Sequence, residues 1–400
     1  MWRRRWAWVG SAGLLGGTVL LSVLSARGAE YAPVASDATT IETLLRGIEA
    51  RGDQVGRLTG VLGLEGVSSP GYRAEVEARQ EAACDEANRG VTVAFEPRSL
   101  AVMRFSIEGP QMGWQACCLT PEAADDWGLG NRYYLLPPHD LDPLGPGDLA
   151  SAGYTDGEVV YRNDGIVSPP VIRPLEPWEA PAPFEPLGYV RAHFVEGWSR
   201  KSLDKWRERA DFTLLGQATL AEGPCSVLAA VGRAPDSRGA SRRLWVCPER
   251  GFGILRMEHI EVGTDFGPAS AALYTAADWR EYAEGLWLPR LVRIDHWSFA
   301  EGPARWDWSK RFLMAELDVN TGFHWTTSDL LFPVERSWAD VRPGAKRPMP
   351  WDGGQGIQQQ FEAEDLAFTE PEPFGDTVPT ETAEPDVWRA WGLRPLAHNG

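Results

Sequence analysis

Between Asp211 and Asn320 the chain alternates short apolar segments with turn residues, and no other feature limits its fold so sharply. The segments are FTLLGQATLAEG, CSVLAAVGR, RRLWVC, FGILRMEHIEVG, DWREYAEG, LWLPRLVRIDHW and ARWDWSKRFLMAELDVN. Seven strands joined by connections too short to hold crossover helices predict an antiparallel meander. A sheet of this kind must bury one face, so the next question is what the rest of the chain supplies to cover it.

The stretch ASDATTIETLLRGIEARGDQ places Ile41, Leu44, Leu45 and Ile48 at the i, i+3, i+4, i+7 spacing of an amphipathic helix, over about 39–51, with Thr or Asp caps before it and Gly52 near its end. Leu58, Leu62 and Leu64 then alternate as on a strand. YRAEVEARQEAACDEANRG reads as a second helix ending at Asn88-Arg89-Gly90, and VTVAFEPRSLAVMRFSIEG as a hairpin turning at Glu96-Pro97-Arg98-Ser99. WSRKSLDKWRERADFT reads as a short basic helix. Residues 136–187 hold 11 of the 31 prolines, which predicts a long loop or insertion (about 136–190) without interior strands. After Phe361 there are five prolines and nine acids against two arginines, so the extension 346–400 is expected to be mostly disordered.

The first 28 residues have the form of a signal peptide: Arg3, Arg4 and Arg5, then an apolar, glycine-broken run from Val9 to Leu24, then the small-x-small site Ala26-Arg27-Gly28. This predicts export to the periplasm or cell envelope, with the segment either cleaved or retained as an anchor. Without residues 1–28 the chain has 35 basic and 56 acidic residues, a net charge of −21. Such a surface repels nucleic acid, and no nucleic-acid partner is expected.

The chemistry-bearing residues form no catalytic pattern. The six histidines are scattered; His139-Asp140 and Asp295-His296 suggest dyads, but no G-x-S-x-G nucleophile motif accompanies them. Asp125-Asp126 and Glu362, Glu364, Asp365 are read as solvated acids. Neither C-x-x-C nor H-x-x-x-H metal spacing occurs, nor a phosphate loop or dinucleotide fingerprint. The expectation is a non-enzymatic monomer with no cofactor and no metal.

Cys225 opens one strand and Cys247 closes the next, and their numbers average to 236, inside the loop between them. That register sets them opposite one another, with Trp245 on the same face as Cys247, and in an oxidising compartment predicts a disulfide. Two buried free thiols are the alternative. One of Cys117 and Cys118 could bridge to Cys84, which leaves one cysteine over.

The same strands carry a resemblance. Leu244-Trp245 with Pro248…Gly251, then Gly285-Leu286-Trp287-Leu288-Pro289, then Phe332, Val341 and Pro343-Gly344 are similar in order and spacing to motifs of the LolA/LolB-like periplasmic lipoprotein-carrier superfamily. The likeness runs from Ile41 to Gly344 and is best over 205–344. It implies an α+β domain (39–345): a half-open, curved antiparallel β-barrel whose concave face is covered by helices. In the family that hollow takes lipid or the acyl chains of lipoproteins, and related domains sense envelope state, so lipid, lipidated protein and envelope proteins are the implied partners. On period two the expected lining is Trp245, Leu255, Met257, Trp287, Leu291, Trp297, Trp306, Trp308, Phe312 and Met314. With nineteen tryptophans, stacking on carbohydrate is a second reading, and an envelope scaffold without a small ligand a third.

Overall fold

The computed structural model describes residues 32–33, 37–86, 98–109, 111–118, 149–155, 158–163, 171–174, 190, 207–208, 210–232, 241–261, 270–298, 305–320, 359–363 and 366–371. Their strands are β1 (Ala32–Pro33), β2 (Arg57–Ser68), β3 (Arg98–Glu108), β4 (Gln111–Cys118), β5 (Leu149–Thr155), β6 (Val159–Asn163) and β7 (Val171–Pro174), followed by β8 (Ala210–Leu220), β9 (Gly223–Gly232), β10 (Ser241–Cys247), β11 (Gly253–Glu261), β12 (Ser270–Ala283), β13 (Leu286–Ser298) and β14 (Arg305–Val319). Two helices are described, α1 (Ala38–Asp53) and α2 (Pro70–Glu86).

All fourteen strands belong to one antiparallel sheet in the order β1-β8-β9-β10-β11-β12-β13-β14-β2-β3-β4-β5-β6-β7. It does not close, because β1 and β7 are its edges. The seven segments between Asp211 and Asn320 are the continuous meander β8–β14, and a second meander, β2–β7, joins it through the β14–β2 pairing. Register shifts interrupt the ladders at Leu214/Gly216, Trp245/Val246, Glu281/Ala283, His296/Trp297 and Met314/Glu316. Each such bulge raises the local twist and bends its strand, which curves a sheet of this width.

β1 lies beside β8 and β2 beside β14, so the chain crosses the whole β8–β14 meander between them, and α1 makes that crossing. Asp37 caps it, its carboxylate accepting from the Thr39 and Thr40 amides at 3.2 and 2.9 Å. Leu44, Leu45 and Ile48 are buried against Leu214, Leu228, Leu244, Val246 and Ile254. The amphipathic stripe therefore finds the sheet face that it requires.

Three readings need correction. Arg98 and Ser99 are not in a hairpin turn but begin β3, with Ser99 opposite Gly66; the other arm proposed for that hairpin, 91–95, lies outside the described residues. The proline-rich stretch contributes β5 and β6, whose segments are free of proline, and the edge strand β7, which ends at Pro174, a place where a sheet tolerates proline. Part of the C-terminal extension is ordered: Phe361 is buried in a cluster with Val61, Leu100, Val102 and Leu313. The signal segment, most of the basic helix at 198–213, and residues 321–358 with the third motif lie outside the described residues.

Candidate functional site

The two resemblance motifs best preserved in the sequence meet in space. Pro248–Arg250 forms a single 3-10 turn that ends at Gly251, with φ 58 and ψ 41. A Cβ at Gly251 would lie 2.4 Å from the Gly285 carbonyl oxygen, so glycine is required both by the left-handed backbone and by the close approach. Arg250 stacks over Trp287 at 4.1 Å. The β10–β11 turn is thereby keyed to the β12–β13 turn.

Cys247 begins the 3-10 turn, and the paired register Val246↔Ser226, Trp245↔Val227 continues to Cys247 and Cys225. Both are buried with free thiols, so the expected disulfide is not formed here. The Cys225 thiol donates to the Gly223 carbonyl at 3.5 Å; the neighbouring Cys225 thiol and the amides of Arg250 and Glu249 lower Cys247 to about 7 against the opposing effect of burial. The neighbouring Cys247, then burial, raises Cys225. The side chains of Cys84, Cys117 and Cys118 lie outside the described set.

The largest feature is an apolar face. Register carries it across the sheet: Met257↔Tyr274↔Ile294, then Val292↔Phe312↔Leu64↔Ala101, then Met314↔Leu62↔Met103, and Phe105↔Trp114. These residues belong to one cluster, nearly all of it buried. α1 covers the β8–β11 end of the same face, since Leu244 pairs with Met257 and packs on the helix. Near the C-terminal end of α1, beside this cluster, sits Arg51, 2% exposed. Its Nε donates to the Trp287 carbonyl at 3.2 Å, and its guanidinium lies 5.1 Å from the Trp279 ring. Burial lowers Arg51 to about 10, partly offset by Tyr274, so it remains a cation at neutral pH; burial correspondingly raises the Tyr274 phenol. No sequence signal marked Arg51, which lies on the helical stripe where an apolar residue is expected.

Of the ten candidate lining residues, Met257, Phe312 and Met314 lie on this face, and Trp287 packs at the edge of its cluster. Trp245 is on the opposite side of β10 from Leu244, between the guanidinium groups of Arg243 (5.8 Å) and Arg256 (4.9 Å), both paired with buried Glu258. Leu255 is buried in the large cluster beyond the Trp245/Val246 bulge. Leu291 packs on the Phe361 cluster instead. Trp297 is buried opposite Ala271 and Trp306, Trp306 stacks on Phe368, and Trp308 stacks on His296 at 4.8 Å. The bulge at His296/Trp297 breaks the period-two count that had grouped the tryptophans.

His296 faces Asp307 at 3.2 Å, not Asp295, which is bound to Arg293 and Ser309. Ser298 donates to Asp307 at 2.9 Å. Burial acts to raise Asp307, but the hydrogen bonds from His296 and Ser298 and the charges of His296 and Arg305 outweigh it, so its carboxyl lies below the ordinary value. Both hydroxyl and imidazole serve the carboxylate and neither addresses the other, so this is not a nucleophile–base pair. Among the described residues there is no group of His, Cys, Asp and Glu able to hold a metal, and no helix is long and apolar enough to cross a membrane.

No family model matches the chain, and no curated protein matches it. It is similar in structure to a putative outer membrane lipoprotein-sorting protein domain from Vibrio parahaemolyticus, at 12% identity and a TM-score of 0.37, covering 71% of this chain and 94% of that one. A DUF1329 family protein from Desulfovibrio piger is similar at 10% identity and a TM-score of 0.38, covering 73% and 98%. The Mycobacterium tuberculosis lipoprotein LppX is similar at 6% identity and a TM-score of 0.25, covering 70% and 95%. At TM-scores this low these neighbours decide nothing about ligand or partner.

Proposed function

We propose that the chain is an exported, non-enzymatic binding protein for lipid or for the acyl chains of lipidated protein, taken on the apolar face of a half-open barrel. The observation that carries this reading is the extent of that face. It runs through Met257, Tyr274, Val292, Phe312, Leu64, Met103, Phe105 and Trp114, all but Met257 buried, and α1 packs on its β8–β11 end. A surface of this width and chemistry suits a long apolar ligand, because burial gains roughly 25 cal/mol per Å² and needs no directional partner. Arg51 sits beside it as a buried cation, the charge that an acyl carboxylate or a phosphate headgroup would meet.

The carbohydrate alternative requires exposed, coplanar indole rings. The described tryptophans are buried (Trp114, Trp245, Trp279, Trp297) or half-buried (Trp287, Trp306, Trp308), which does not favour it. Two measurements test the proposal. Native mass spectrometry of protein purified from its own envelope should show co-purified lipid. Brominated fatty acid should quench indole fluorescence, less so in Trp114→Phe. Absence of both lipid and quenching, with the sheet intact by circular dichroism, would refute the reading.

A further inference from the structure

The sheet has a second surface on which a short segment is already seated. On the side of β13, β14, β2 and β3 opposite the apolar face, residues 359–363 and 366–371 lie across the strands. Phe361, 1% exposed, inserts among Val61, Leu100, Val102 and Leu313, and Leu366 packs beside it. Arg311 Nη1 donates to the Leu366 carbonyl, and Arg293 Nη2 to the Thr369 carbonyl at 2.7 Å. Phe368 stacks on Trp306 and lies under Arg293 and Arg311 at 5.2 and 5.6 Å. Arg290 reaches Gln360, and Arg98 reaches Glu362.

Two features distinguish this seat from ordinary core. The segment forms no ladder with any strand; its anchors are two aromatic plugs, one leucine and guanidinium-to-carbonyl bonds. The sheet's own charges also stay paired without it: Arg311 and Arg98 share Glu65, and Arg293 holds Asp295. Emptying the seat would uncover an apolar pocket rimmed by arginines, on a protein whose net charge is −17. The aromatic plugs and guanidinium-to-carbonyl bonds suit an aromatic peptide, and Arg98, which also reaches Glu362, suits an acidic one.

We propose that this outer face is a peptide-binding site whose resident ligand is the chain's own 359–371 segment, exchangeable for a linear acidic peptide with aromatic anchors seven residues apart, as Phe361 and Phe368 are. The site is independent of the acyl-binding reading, because it uses the opposite faces of the same strands. The test uses the full chain with a specific protease site introduced between Met349 and Gly356. After cleavage and dilution the C-terminal fragment should leave while far-UV circular dichroism is unchanged. A fluorescent peptide of residues 357–372 should then bind the nicked protein at least about tenfold more tightly than the intact chain, whose own segment competes. Replacing both phenylalanines of the peptide by alanine should cost at least about tenfold, because buried aromatic anchors carry most of such an interface. Retention of the fragment until the sheet unfolds would overturn the proposal, as would equal or absent peptide binding to nicked and intact protein. Since the second comparison changes only the peptide, it does not depend on a protein variant folding.

Discussion

A thiol that opens a turn ionises more readily than one held against a strand, and Cys247 and Cys225 occupy those two situations. The neighbouring Cys225 and the amides of Arg250 and Glu249 bring Cys247 to about 7; Cys225 is raised. The two act on stability in opposite directions. Between about 7 and the ordinary thiol value the unfolded Cys247 holds a proton that the folded one has released, so stability rises with pH. Above the ordinary value the unfolded Cys225 loses a proton that the folded one retains, and stability falls again. Under reducing conditions the urea midpoint should therefore rise from pH 6.5 to pH 8.5, and Cys247→Ser should abolish the rise. Oxidation would close a loop of 22 residues (247 minus 225), worth about 3 kcal/mol in the chain-entropy model less any strain. A mild disulfide oxidant should raise the midpoint of the native chain and leave Cys247→Ser unchanged. The juxtaposition was legible because hairpin register is arithmetic. Which thiol carries the charge was not, because that depends on the amides of a turn.

At the scale of elements, α1 makes a demand that its sequence shows only in part. A Cβ at Gly47 would lie 2.2 Å from Cγ of Phe252, which itself holds φ 60 in the keyed turn, whereas at Gly52 nothing lies within 4 Å. Alanine favours a helix over glycine by about 1 kcal/mol at either position. Gly52→Ala should therefore raise stability by roughly 0.5–1 kcal/mol. Gly47→Ala should lower it by about 1–3 kcal/mol, since the displaced ring cannot move without the turn. Denaturant melts of the two variants check this, and a gain at both positions would mean that α1 does not dock through Gly47. The stripe Ile41, Leu44, Leu45, Ile48 announced the helix, and period-two alternation announced the strands of the β8–β14 meander. β12 was read eight residues short, at Asp278 rather than Ser270, because SAALYTAA is apolar on both faces and shows no period. β3 was cut by Pro97, a turn signal that in fact lies just before the strand.

For the molecule as a whole, the two proposed binding faces belong to one sheet, and β14 contributes to both. Phe312 and Met314 point into the apolar cluster, while Arg311 and Leu313 point to the docked C-terminal segment. The sequence indicated the first face through Met257, Phe312 and Met314, since alternation is local. It hid the second, because Phe361, Leu366 and Phe368 sit in an acidic, proline-containing stretch whose composition alone reads as disorder. Only the long-range contact with Arg311 and Arg293 reveals their role. Neighbouring substitutions on this strand should therefore separate the two functions. Met314→Ala removes apolar surface from the proposed acyl-binding face and should weaken binding of a fluorescent fatty acid by about 1–2 kcal/mol, roughly five- to thirtyfold. It should leave protease resistance of the 359–371 segment as it was. Leu313→Ala, one residue away, opens a gap beneath Phe361 and should speed cleavage of that segment while fatty-acid affinity stays within about twofold. Limited proteolysis followed by mass spectrometry reads the first effect, and probe titration reads the second. If both variants moved both readouts together, the two faces would be one coupled core, and neither site would stand as a separate function.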